Sequence, residues 1–267
     1  MSTYLRPALL LALLTSAACH PNTPATQATQ PSQPARPAVS TSPALPPAVV
    51  AGPADTLHLP GGRVVSLRPT TAAAFNQLPN SDLSDLPNDP AAEQLAATQG
   101  RVRRQGLDLL LRPTAGAEVR LSSSPDAEFT LQNGKAVRYV YWGSLPTAHQ
   151  WVVRAWYWEA AGTVLVDQRT GRHVELLGEP APGPDSRFVL LTSPGLGGGD
   201  QANALNLVQI EATGPRRLWQ REPTRWEPQQ ARWAGPGRAV LKVRHLNAQG
   251  QMPEDAPETY AELTLPR

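Results

Sequence analysis

The stretch Thr163–Leu191, TVLVDQRTGRHVELLGEPAPGPDSRFVLL, decides the fold of this chain. Val164, Leu165 and Val166 precede Thr170-Gly171, and Val174 and Leu176 follow at alternate positions. Period-two alternation marks a strand with one buried face, so the spacing predicts a hairpin turning at Thr170-Gly171. Gly183-Pro184-Asp185-Ser186 reverses the chain again, because proline presets φ and Gly or Asp accepts turn geometry. A further strand follows at Arg187–Leu191, and the whole stretch is expected to form one sheet. The polar residues around the hairpin, Asp167, His173 and Glu175, are expected on a solvated face where replacement leaves the fold nearly untouched.

Imperfect copies of this unit lie on both sides. Leu205, Leu207, Val208 and Ile210 precede Thr213-Gly214, and Leu218-Trp219 follow. Gly171 and Gly214 are 43 residues apart, and the same step carries Glu179-Pro180 onto Glu222-Pro223. Upstream, Leu107, Leu109 and Leu111 precede Ala115-Gly116, with Val119 and Leu121 after it, a fainter third copy. Arg238–Val243 matches Arg187–Leu191 and is entered through Gly235-Pro236-Gly237. A period of roughly 40–45 residues is that of propeller blades. The expected fold is all-β and antiparallel, a propeller-like repeat of hairpin units over residues 101–267, with a β-sandwich as the alternative.

The order of strand, Thr-Gly, strand, Pro-Asp turn and strand resembles the blades of bacterial periplasmic β-propellers, which carry Ser-Pro-Asp-Gly before an outer strand. Gly183 stands here in place of the Ser and Ser186 in place of the Gly, and the second copy keeps only Pro236 and Gly237.

Ahead of the repeat, the chain changes character. Arg6, the apolar run Ala8–Leu14 and the small residues Ser16-Ala17-Ala18 form the three parts of an export signal over residues 1–18. The apolar run is too short to span a bilayer as a helix. Small residues directly before Cys19 resemble the lipobox of bacterial prolipoproteins, although Ser16 stands where that family prefers Leu. The resemblance implies cleavage before Cys19, a diacylglyceryl group on its thiol and acylation of its new amino terminus, as by palmitate. An ordinary secretory signal with an incidental cysteine is the alternative. Cys19 is the only cysteine, so an internal disulfide is excluded.

Residues 19–54 are rich in Pro, Ala, Thr, Ser and Gln, with Arg36 the only charge. Such a composition cannot bury enough apolar surface to offset the entropy of ordering, so a disordered tether is expected. Residues 55–100 read as a first hairpin around Gly61-Gly62, then short helices near 70–78 and 91–99, a candidate cap on the repeat domain. Only Lys135 and Lys242 among the 24 basic residues are Lys. Arginine therefore follows composition, and with a net charge of +2 no nucleic-acid partner is expected.

Aromatic residues are densest between Tyr139 and Trp158. Val137, Tyr139 and Tyr141 alternate on one face, as do Trp151, Val153, Ala155 and Tyr157 in the next strand, which fits cross-strand packing in a core. Trp142, Trp156 and Trp158 are the candidate ligand platform, for sugar rings or an aromatic peptide. No catalytic, cofactor-binding or metal-binding residues are assigned. The five histidines are scattered, and no Gly-x-Ser-x-Gly elbow occurs. Gly195–Asp200 lacks the Lys-Ser/Thr ending of a phosphate-cradling loop. The expectation is a lipoprotein anchored in the bacterial cell envelope, periplasmic or on the outer-membrane surface. It would bind or scaffold a glycan or an envelope protein, with an envelope hydrolase on the same fold as the alternative.

Overall fold

The computed structural model describes residues 56–58, 62, 64–80, 83, 90–130, 132–198 and 201–265. The expected signal peptide, Cys19 and the tether lie outside them, as does most of the acidic stretch 81–89. The chain opens with the expected hairpin, β1 (Thr56–His58) against β2 (Val64–Thr70). Helix α1 (Ala72–Asn76) follows, its first turn capped by Thr71, whose hydroxyl accepts from the Ala74 amide at 3.1 Å. The second expected helix is instead two 3-10 turns, Pro90–Ala92 and Leu95–Thr98. A segment this short cannot repay helix nucleation, and Gln99, with φ 54°, ends it.

Four antiparallel sheets contain the strands, and none closes into a barrel. Sheet I holds β3 (Val102–Gln105), β4 (Asp108–Leu111) and β5 (Val119–Ser122). Sheet II holds β6 (Arg138–Leu145), β7 (Gln150–Trp156), β8 (Ala161–Asp167) and β9 (His173–Leu177). Sheet III holds β10 (Glu179–Pro182), β11 (Phe188–Ser193), β12 (Ala204–Glu211) and β13 (Gly214–Arg221). Sheet IV holds β14 (Trp226–Gly235), β15 (Arg238–His245) and β16 (Glu258–Thr264), and the first hairpin completes it, β2 pairing β16 with Leu67 opposite Leu263.

The repeat read from the sequence corresponds to equivalent strands. Thr170-Gly171 joins β8 to β9, and Thr213-Gly214 joins β12 to β13, the third and fourth strands of sheets II and III. Ala115-Gly116 joins β4 to β5 in the same way. The expectation of a single sheet over Thr163–Leu191 is overturned, because the chain leaves sheet II at Leu177 and enters sheet III at Glu179. Gly178 makes that passage with φ 105°, and a β-carbon there would lie 2.5 Å from the Thr192 carbonyl oxygen. Only glycine fits such a conformation and approach.

Successive sheets pack through shared cores. Leu109, Leu111, Tyr141, Trp151, Val153, Val164 and Val166 bury one side of sheet II against sheet I. Val152, Leu165 and Leu176 bury its other side against Val189, Leu191 and Val208 of sheet III. Leu190, Leu205, Leu207 and Trp219 then meet Trp233, Leu241 and Leu263 of sheet IV. Val164-Leu165-Val166 and Val189-Leu190-Leu191 are thus apolar throughout because both of their faces are covered, rather than one. Each Leu or Val buried in this way contributes roughly 1.5–3 kcal/mol.

Side chains replace a strand at one edge. β6 has β7 as its only sheet neighbour. On that edge strand the Tyr141 amide donates to Glu93 Oε1 at 2.6 Å and the Tyr139 carbonyl accepts from Arg104 Nη2 at 2.7 Å. Glu93 and Arg104 also pair with each other, with side chains 1% and 17% exposed. The edge groups are satisfied without a further chain, which protects a long strand from unwanted pairing.

Candidate functional site

The change of sheet at Gly178 opens a cleft of about 240 Å³ between sheets II and III, lined by Arg154, Gly178, Glu179, Thr192, Gln201 and Gln229. Arg154 projects from β7 on the same side as Val152, toward sheet III. Its guanidinium lies between two indoles, 4.5 Å from the Trp142 ring and 4.7 Å from the Trp156 ring. Arg154 Nη2 donates to Glu179 Oε1 at 2.9 Å. The Arg154 side chain is 11% exposed and that of Glu179 60%. Stacking of this kind contributes about 0.5–2 kcal/mol per ring, more as the cation loses water. Two buried donors in the cluster, Arg154 Nε and Trp156 Nε1, have no hydrogen-bond partner.

Hydrogen bonds stiffen the rim of the cleft. Gln201 accepts from the Ala161 amide at 2.6 Å and donates to the Ala161 carbonyl at 3.2 Å and to the Ser193 hydroxyl. Gln229 donates to Glu227 Oε1 at 2.6 Å, and Glu227 Oε2 accepts from the Leu196 amide at 2.9 Å. The glycine-rich stretch after Pro194 is therefore anchored to β14 through Glu227, as a connection between β11 and β12.

Of the three tryptophans read as a platform, the structure brings Trp142 and Trp156 together and gives the space between them to Arg154. Trp158 lies past the end of β7, 42% exposed, with its ring 6.0 Å from that of Phe129. The alternating aromatics Tyr139, Tyr141, Trp151 and Tyr157 face sheet I as core, as cross-strand packing requires. At the margin of that core Glu175 accepts from Tyr139 at 3.2 Å and from Tyr157. Burial, and then the nearby Glu175 charge, push the Tyr139 phenol up to about 12, and burial with the Glu175 bond raises Tyr157 as well.

The expectation that Asp167 is a solvated residue is wrong. Its side chain is fully buried, because the tip of the β8–β9 hairpin folds over it. It accepts from the Arg169 amide, the Thr170 amide and the Thr170 hydroxyl at 2.8–3.1 Å, and from the side chains of Arg169 and Gln150 at 3.0 Å. Burial pushes the carboxyl up, yet these hydrogen bonds outweigh it and hold the group below its ordinary value. The tip so formed joins its neighbours. Thr170 donates to the Thr213 carbonyl at 3.2 Å, and the Ala115 amide donates to the Arg169 carbonyl at 2.7 Å, so the three repeated turns stack.

A second cleft, about 250 Å³, lies where the ends of β6 and β10 approach β14, lined by Pro79, Ser144, Thr147, Pro182, Arg232 and Trp233. Its guanidinium serves the helix, since Arg232 donates to the Phe75 and Leu78 carbonyls at 3.3 and 3.2 Å and stacks 4.3 Å over Phe75. His149, His173 and His245 sit on separate elements, and among the described residues no group of three or more His, Cys, Asp or Glu is placed to hold a metal ion. No described helix is long and apolar enough to cross a membrane. Sequence reasoning missed Arg154 and Glu179, because the 25 residues between them carry no motif. Comparison with family models, curated proteins and solved structures finds no match.

Proposed function

We propose that this chain is a lipid-anchored protein of the bacterial cell envelope whose four sheets are propeller-like blades and whose domain works as a binding or scaffolding module. The 43-residue step between equivalent hairpins and the completion of the last sheet by an N-terminal strand support the propeller reading. Cys19 behind an apolar signal supports the anchor, and the Pro-rich residues 19–54 supply reach from the membrane. The observation that carries the binding role is the cleft at Gly178, where a guanidinium is fixed between two indoles beside an exposed carboxylate. Polar groups converging in a preformed cleft are the general mark of a ligand site.

Membrane fractionation of cells expressing Cys19→Ala tests the anchor. The variant is expected in the soluble fraction or as unprocessed precursor. A processed variant still bound to membrane would contradict lipidation. Turnover of a glycan or ester by the purified chain would move the protein from the binding class to the hydrolases.

A further inference from the structure

Building on the binding reading, we propose that the Arg154–Glu179 cleft holds one ring of an uncharged glycan through adjacent hydroxyl groups. The donors set the first requirement. Arg154 Nε and Trp156 Nε1 are buried without an acceptor, and buried polar groups in folded proteins are nearly always paired. A ligand oxygen that accepts hydrogen bonds supplies what they lack. Glu179 sets the second requirement. Its carboxylate is acceptor-only, with about four lone-pair sites, and its exposed side takes a hydroxyl proton. Donor and acceptor lie 2.9 Å apart, so the site asks for neighbouring groups that can both give and receive, as the hydroxyls on adjacent ring carbons do.

Charge decides against acidic and basic ligands. The guanidinium and the carboxylate neutralise each other, so an added carboxylate or phosphate would meet Glu179 and an added cation would meet Arg154. Size points to one ring, because about 240 Å³ is below the roughly 300–1,000 Å³ of sites that take drug-sized molecules. Trp142 and Trp156 act here as clamps for Arg154. The rotamer freedom of the guanidinium is removed before the ligand arrives, which lowers the cost of binding.

Calorimetric titration of the detergent-solubilised full chain tests this, with maltotriose, cellotriose and chitotriose as neutral probes. Trigalacturonate serves as the acidic counterpart and a terminally blocked penta-alanine as the peptide counterpart. At least one neutral trisaccharide is expected to bind. Glu179→Gln and Arg154→Lys should each weaken it about tenfold, the effect of losing one charge-assisted hydrogen bond, with Tm unchanged for Glu179→Gln. Glu179 is exposed, so its variant keeps the test decisive if Arg154→Lys fails to fold. Absence of binding by all three neutral sugars, preference for trigalacturonate or the peptide, or equal affinity in both variants would overturn the inference. The broader reading fails through other readouts: a trisaccharide that binds and is hydrolysed would leave the ligand class standing and remove the binding-module role.

Discussion

The two sides of sheet II carry similar residues and do different things. Toward sheet I, Tyr141 and Trp151 are 3% and 2% exposed and are packed as core. Toward sheet III, Trp142 and Trp156 remain half-buried around a guanidinium, and the cluster leaves two donors unpaired. Aromatic density alone thus does not locate a site. Unsatisfied polar groups beside a cleft distinguish the second side from the first.

The largest expected effect tests that division. Trp151→Ala should cost about 3–5 kcal/mol in denaturant unfolding, the loss typical of a buried aromatic cut to alanine. Trp142→Ala should cost less than half as much. Equal losses would mean that the side facing sheet III is core as well.

Asp167 secures the hairpin tip that touches both neighbouring sheets. Asp167→Ala should lower stability by on the order of 3 kcal/mol, because buried donors from Gln150, Arg169 and Thr170 lose their acceptor. Its folded pKa is depressed, so its contribution is present above the unfolded value near 3.9 and is lost as pH falls through the lower folded value. Acid unfolding curves of the wild type and Asp167→Asn should therefore converge below about pH 4. Curves that stay equally far apart at every pH would sever the stability from the ionised carboxylate.

These residues also show what was legible in the sequence. Turn chemistry at Thr170-Gly171, Thr213-Gly214 and Gly183–Ser186, with apolar runs between, marked the strands and the repeat, since such signals are local. The passage at Gly178 was not legible. Gly-Glu-Pro reads alike whether a chain turns within one sheet or moves to the next, and the Thr192 carbonyl that forbids a side chain comes from another strand. Pairing of β2 with β16 is equally non-local. Asp167 was misread because alternation reports the facing of strand residues, whereas the turn beyond β8 folds its own amides onto the carboxylate. At the cleft, Arg154 and Glu179 meet only because two sheets separate between them.

A smaller effect is expected at that separation. Gly178→Ala should cost about 1–3 kcal/mol through its left-handed backbone and its contact with Thr192. Amide exchange should quicken in β10 and β11 while β4 and β5 keep their protection. Uniform quickening would mean that the sheets respond as one unit.

The smallest effect falls on the side facing sheet I. Glu175→Gln should alter stability by no more than about 0.5 kcal/mol, as for an exposed position. It should nevertheless lower the Tyr139 titration from about 12, while burial keeps it above 10. The sign follows from linkage: a raised phenol pKa contributes stability that is complete below about pH 10 and lost as pH rises toward 12. Ultraviolet difference titration reads the shift, and an unmoved Tyr139 midpoint would detach the phenol from Glu175.

The central claim is that the cleft beside Gly178, rather than the exposed aromatic pair Phe129 and Trp158, is where a ligand binds. A crystal structure of the chain with the tightest neutral trisaccharide tests it directly. The account predicts sugar oxygens within hydrogen-bond reach of both Arg154 and Glu179, with Trp142 and Trp156 still stacked on the guanidinium. A sugar stacked on Trp158, with the Arg154–Glu179 cleft empty, would contradict it.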